Sequence, residues 1–497
     1  MPELAATLPA LARLKFPQRW VAALTLAVSR GAGLVAQVCV QIAVGALGGP
    51  AALGLLQLLT SWTALLGEVL GIGYPTRAMR DAAVLSASGQ SRAVRRTLRK
   101  AASRVAAAGM GAAVLLCAAV AVSAGSSPDI DRPLIVALAL AAPLFALSRL
   151  WSEALKGLQR PLIAVTLENL TTPIALLTLC GALVLAQRHL SRELLLLGAV
   201  VGVAATAALS LVALQRRLGQ LHEDSALSQA DGAASQATPR TTTDRREQLH
   251  FWCNGLLNIA FLQLPFLILP LFASAEEIGS YAVAHKLLNI ITTLLILQAA
   301  VYGPRFARAA AQHNAGELAA LLWRTQMVSA AIFLPSAAVL LGVSAPLASV
   351  FSLPGGSLLP LLLVLCGGQV VNAVTGLSGV LLTMSGSAAS ETRLQLAAII
   401  ATTSAAFLIA PSHGIYGVAA AADTAHAQDG DLDRPVDFVH AAHSQGADGR
   451  AGQTPGPVGQ DRSPGMDVDN HAGQGIDGAD AIGPGGLYRP GNYLDVG

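Results

Sequence analysis

Charge is scarce in this sequence. Only 12% of its 497 residues are Asp, Glu, Lys or Arg, about half the share of an ordinary soluble protein. So little charge cannot clothe soluble domains of this size. With 53% hydrophobic residues, the composition points to a polytopic membrane protein. Aromatics are also few, at 4%, so the apolar mass is Leu, Ala and Val. The five cysteines (Cys39, Cys117, Cys180, Cys253 and Cys366) lie far apart in apolar runs. That spacing suits neither a metal site nor a disulfide framework and reads as buried small hydrophobes. No glycine-rich loop ending in Lys-Ser/Thr occurs, nor His-Glu-x-x-His, nor a nucleophile motif. The chain therefore does not read as an enzyme, and it implies no cofactor or metal. Its basic residues line membrane boundaries rather than a soluble domain, so nucleic acid is not a partner.

What the sequence does have is length of apolar run. A helix needs about 20 largely apolar residues to cross a bilayer. Eleven segments come close, at 20–44, 53–76, 102–124, 133–154, 162–186, 193–215, 250–272, 279–302, 320–343, 357–384 and 392–411. The first follows Arg13, Lys15 and Arg19 and is closed by no small-residue cleavage site, so it reads as a membrane helix rather than a signal peptide. With the N-terminus cytoplasmic, the alternation puts 23 Lys and Arg on the cytoplasmic side and 3 (Arg132, Arg188 and Arg192) outside. That asymmetry is the positive-inside bias, and a wrong span count would scramble it.

The fold expected is all-α: two six-helix bundles around a central cavity. Residues 1–215 form the first bundle, 216–248 a polar cytoplasmic linker and 249–422 the second bundle. A twelfth run, "IYGVAAAA", starts at Ile415 and stops at Asp423, short of a span. The tail, 423–497, holds 12 Asp and 4 Arg with many Gly and Pro and reads as disordered. It is either a low-complexity extension or the product of a frameshift.

Polar residues at membrane depth are costly, so their placement is informative. Arg30 sits about ten residues into the first helix, roughly 15 Å along it. At about 100° per residue, Arg30, Gln37 and Gln41 form one stripe. Gln57, Ser61 and Glu68 form another on the second span. Arg30 is either a cavity cation, the structural partner of Glu68, or a side chain snorkelling to the inner interface. His250, Asn254 and Asn258 step by four along the seventh span; His285, Asn289 and Thr293 do so along the eighth, beside Lys286. Asn372, Gly376, Gly379 and Thr383 make a small-residue face that suits helix packing. Glu168 and Asn169 lie inside another apolar run, where a carboxylate can carry a proton, bind a cation or pair with a base. Glu153 and Lys156 sit at a helix end and read as interfacial.

Several stretches resemble a known family. "SRGAGLVAQVCVQIAVGALGGPAALGLLQLLTSWTALLGEVLGIGYPTRAMR", with Arg30, Gly48, Gly54, Gly73 and Arg80, resembles the opening of bacterial polysaccharide flippases. These belong to the multidrug/oligosaccharidyl-lipid/polysaccharide exporter superfamily. "ASAEEIGSYAVAHKLLNIITTLLILQAAVYGPRFARA", with Gly279, Tyr281, Ala284, Pro304 and Phe306, is similar to its eighth-helix region. "GGQVVNAVTGLSGVLLTMSG", with Gln369, Asn372, Gly376, Met384 and Gly386, is similar to its tenth, and "HGIYGVAAA" to the lead into its twelfth. The resemblance covers about 15–422. It implies alternating access and transfer of a polyprenyl-diphosphate-linked oligosaccharide across the bacterial inner membrane for surface polysaccharide, such as O-antigen lipopolysaccharide.

On that resemblance Arg30 and Lys286 would hold the anionic head. Gln37, Gln41, Asn254, Asn258, His285 and Asn289 would line the path, and Glu68 or Glu168 would be the ion site. The partners implied are the lipid-linked oligosaccharide and glycosyltransferases or a polysaccharide polymerase. Anionic lipids would lie beside the basic first loop. Two alternatives are a cation-coupled multidrug exporter of the same fold, which an acidic cavity would favour, and a non-transport membrane scaffold.

Overall fold

The computed structural model describes residues 18–87, 89–122, 131–230, 245–312, 314–375 and 388–431. The remainder of the linker (231–244), the small-residue face at Gly376, Gly379 and Thr383, the motif residues Met384 and Gly386, and the tail from 432 lie outside the described residues. Twelve helices are described: α1 Gln18–Gly71, α2 Tyr74–Ala87, α3 Ser91–Val122, α4 Arg132–Gly157, α5 Pro161–Leu185, α6 Arg192–Ala230, α7 Arg245–Ile268, α8 Ala275–Ala311, α9 Ala315–Gly342, α10 Ser344–Val350, α11 Leu358–Thr375 and α12 Ala388–Asp431. The protein is an all-α, multi-pass membrane fold. Eight described helices contain stretches long and apolar enough to cross a membrane.

Two of these elements are folded hairpins. α1 breaks at Gly49, where φ is 71°, just before Pro50. Gly tolerates that left-handed turn without Cβ strain, and Pro cannot continue the hydrogen-bond ladder behind it. α1 therefore supplies two passes, 18–48 and 50–71. α12 breaks likewise at Gly414, and its second limb, 415–431, stays helical past Ala422, where the apolar run ends. At about 1.5 Å per residue that limb is shorter than the roughly 30 Å hydrocarbon core.

Helix starts follow local chemistry. Asp131 accepts from the Leu134 amide at 3.3 Å, and Pro133 occupies the first turn of α4. Asn314 caps α9 by accepting from Glu317 N at 3.0 Å. Ser274 and Glu277 form a reciprocal capping box before α8: Glu277 Oε2 accepts from Ser274 N at 2.8 Å, and Glu277 N donates to Ser274 Oγ at 3.4 Å. Arg192 pairs with Asp131, tying the outer ends of α4 and α6.

The hydrophobic core differs between the two ends. In the outer half one cluster joins both bundles, from Val44 and Leu53 through Phe266, Ile278 and Tyr281 to Phe351 and Leu362. In the inner half it divides. Leu98, Leu150, Leu155 and Leu214 pack within the first bundle, while Phe306, Leu321 and Leu322 pack within the second. Burial along the first limb of α1 follows suit: Val40, Gln41 and Val44 are buried, whereas Val28, Arg30 and Val35 are exposed. Among the described residues the shared apolar core is thus confined to the outer end, while at the cytoplasmic end the bundles meet through polar contacts: Gln248 donates to the Ile72 carbonyl at 2.9 Å and Trp252 Nε1 to the Val69 carbonyl at 3.2 Å. Three of the five cysteines (Cys39, Cys117 and Cys253) are exposed rather than buried. In a membrane helix the apolar outer face is a lipid-facing surface, so hydrophobicity does not signal burial.

Candidate functional site

A cavity of about 420 Å³ lies mainly within the first bundle. Both limbs of α1 with α4, α5 and α6 form its walls, and among the described residues the second bundle contributes Gln263 from α7 and Lys286 from α8. Lys286 is eleven residues into α8, roughly 16 Å along the helix, near mid-membrane. Its ammonium donates to Gln37 Oε1 at 2.7 Å. A charged-group hydrogen bond contributes about 1.5–3 kcal/mol, comparable to the roughly 2.5–3.5 kcal/mol insertion penalty of a lysine there. A second bridge joins the bundles through the other limb. Gln57 Nε2 donates to Ser61 Oγ at 3.0 Å, and that hydroxyl donates to Gln263 Oε1 at 2.8 Å.

An ion chain lies towards the cavity's inner end. Arg149 stands 3.9 Å from Glu68 and 3.7 Å from Glu153. Lys156 lies 3.0 Å from Glu153 and 3.0 Å from Glu168. Three carboxylates therefore share two bases across three membrane passes. Higher in the cavity, Gln41 Oε1, an acceptor, and Thr63 Oγ1, a hydroxyl that can accept or donate, are buried without a hydrogen-bond partner among the described residues. A buried acceptor without a donor costs about 1–3 kcal/mol, so these two oxygens suit a ligand that brings N–H or O–H groups.

The expected residues divide. Gln37, Gln41, Glu168 and Lys286 line the cavity, and Glu68 joins it through Arg149. Arg30 lies two turns nearer the N-terminus on the same stripe, exposed and outside the lining. Its alternative role as partner of Glu68 is corrected, because Arg149 of α4 takes that place. Asn254 and Asn258 are exposed on α7. His285 packs edge-on to Phe266, centroids 5.2 Å apart, and parallel to Tyr281 at 6.1 Å. Asn289 accepts from Thr292 Oγ1 at 3.1 Å within its own helix. Arg149, Gln263, Glu153 and Lys156 were not expected here. The last two, read as interfacial, are central to the ion chain. Their signal was the 149, 153, 156 spacing, which puts all three on one face of α4.

Solved structures sharing this arrangement are membrane transporters. An inward-facing multidrug resistance MATE family transporter of the MOP superfamily superposes with a TM-score of 0.58, at 14% identity, over 84% of this chain and 99% of its own. The fold is that of the MATE transporters. MATE in the straight conformation gives a TM-score of 0.54 at 13% identity, over 85% of this chain and 96% of its own. A MOP superfamily transporter from Pyrococcus furiosus, whose binding pocket of reverse polarity suggests a different function, gives 0.52 at 14% identity, over 84% and 96%. No family model and no curated protein matches the chain.

These neighbours correct the expected function. The named matches are MATE and MOP transporters, one of them a multidrug resistance protein, and none is named as a glycan-lipid flippase. Lipid-linked oligosaccharide, glycosyltransferases and a polysaccharide polymerase are withdrawn as partners with it. The geometry gives the physical reason. A diphosphate clamp needs two free cations facing one cavity, whereas Arg30 lies outside the lining and Arg149 and Lys156 are held by carboxylates.

Proposed function

We propose that this protein exports small amphipathic amines from the cytoplasm across a bacterial inner membrane, by alternating access coupled to inward movement of a cation. The observation that carries the reading is the pairing, in one cavity, of two buried oxygens with Glu168, the described carboxylate of the lining, from which an ion chain runs through Lys156, Glu153 and Arg149 to Glu68. The volume of about 420 Å³ lies within the roughly 300–1,000 Å³ of drug-sized sites. The multidrug resistance transporter that shares the fold supports the same substrate class.

Each group then has a role. Gln41 and Thr63 accept hydrogen bonds from the substrate's N–H groups. Glu68 and Glu168 take the coupling cation, a proton or sodium, in competition with Arg149 and Lys156. When the cation occupies Glu168, Lys156 is released to Glu153 alone, so ion occupancy and the packing of α4 against α5 change together. Differential contacts of this kind are what a ligand must have to shift a conformational equilibrium.

Inside-out vesicles from a host stripped of its own exporters test the proposal. An imposed proton or sodium gradient should drive ethidium into vesicles bearing the wild type, and Glu68→Gln or Glu168→Gln should return uptake to the empty-vesicle level at equal protein amount. Uptake indifferent to either gradient, or unchanged in both variants, would falsify the ion role; no uptake across a panel of amphipathic amines removes the substrate class.

A further inference from the structure

A larger cavity, about 900 Å³, opens at the cytoplasmic end of the first bundle between α3, α4 and α6. It shares no lining residue with the central cavity. Arg92, Arg95 and Arg99 form one wall, with Trp151, Leu214 and Leu218 opposite. The arginines are three and four residues apart and fall within about 60° on the helix. Like charges at that spacing repel by a few tenths of a kcal/mol per pair. No acid stands among the described residues of the lining. No Asp or Glu occurs between Asp81 and Asp129, and none of the three makes an ion pair or hydrogen bond among the described residues. The other cations of the segment point elsewhere; Arg104, for example, donates to Tyr74 Oη at 2.8 Å and lies over its ring.

A role in topology alone requires these charges to be cytoplasmic, not gathered on one wall of a cavity. We infer that this cavity is a second ligand site, which recognises a phosphate group carried on an apolar body and lies off the transport path. Three guanidiniums match phosphate oxygens in number and geometry. The first turn of α3, beginning at Ser91 in the lining, adds its positive helix end. Trp151, Leu214 and Leu218 cover the apolar part. A phospholipid headgroup and a soluble organic phosphate share this chemistry.

The test uses the purified full chain in neutral detergent, read by thermal unfolding and native mass spectrometry. The probes are inorganic phosphate, dihexanoyl phosphatidic acid and dihexanoyl phosphatidylcholine, followed by bilayer nanodiscs with and without phosphatidylglycerol. The double variant Arg95→Gln/Arg99→Gln should bind the phosphate probe about tenfold or more weakly, each basic contact being worth on the order of a fivefold change. Ala102→Phe, which fills the cavity and keeps every charge, should weaken it as well. Arg324→Gln, an equal loss per residue on exposed α9 surface, should leave binding unchanged. Saturation by inorganic phosphate with no gain from the acyl chains assigns a soluble ligand; binding that needs the chains, with stabilisation in phosphatidylglycerol nanodiscs, assigns a lipid. Binding to no phosphate probe, equal binding by the double variant, or equal weakening by Arg324→Gln overturns the site.

Discussion

Lys286 and Gln37 show how unequal the two ends of one hydrogen bond can be. Removing the acceptor strands a cation at membrane depth; removing the cation strands only a neutral amide. Gln37→Leu should therefore destabilise the folded protein by about 2 kcal/mol, and Lys286→Met by clearly less. The double variant should recover most of what Gln37→Leu loses. Thermal unfolding in detergent checks the order, and a larger loss for Lys286→Met would reverse the assignment. Both residues were legible in the sequence as polar positions in apolar runs, and so were Gln41 and Glu168. Their partners were not. A helical wheel places side chains on a face of their own helix but not opposite a particular face of another. That is why Glu68 was open to pairing with Arg30 rather than Arg149, and why Asn254 and Asn258, equally regular in spacing, turn away from the cavity.

At the scale of elements, the outer seal depends on two glycines. A Cβ on Gly54 would overlap the Ala275 carbonyl, and one on Gly279 would overlap the Pro50 carbonyl. The second limb of α1 and the start of α8 cross there with backbone against backbone, an approach that small residues alone permit. Gly54→Val should force this crossing apart and shift the protein towards a state open to the outside. Spin labels at Arg188→Cys and Glu276→Cys, in a background without the native cysteines, should read a longer distance in the variant. An unchanged distance would show that the seal rests on the shared core alone. The sequence marked Gly54 and Gly279 through a family resemblance, but that they face each other is a property of the assembled bundles.

For the molecule as a whole, the all-α, multi-pass plan was the most legible feature. Apolar length marked the helices, eight of which, among the described residues, are long and apolar enough to cross a membrane; the basic-residue asymmetry is an independent signal for their direction. Sided maleimide labelling should therefore find Arg96→Cys reactive from the cytoplasm only and Arg188→Cys from the outside only; labelling of both from one side would break the pass count between them. Function was less legible, because whether the cations near the cavity are free or already held depends on contacts between α4 and α5 that no single segment displays.

The cavity's uneven ownership limits what a substrate can do by itself. Since nearly all of its lining travels with one bundle, a bound molecule meets almost the same surroundings whichever way the protein faces. Among the described lining residues the contacts that change are those at Gln263 and Lys286; Lys286 is itself a cation and a donor, so Gln263 alone can accept from an amine there, and one charged hydrogen bond is worth about 1.5–3 kcal/mol. Inverting a population from 1:99 to 99:1 takes about 5.5 kcal/mol. On the proposed function, substrate is then a passenger whose binding tilts the balance without overturning it, and the remaining bias comes from the ion.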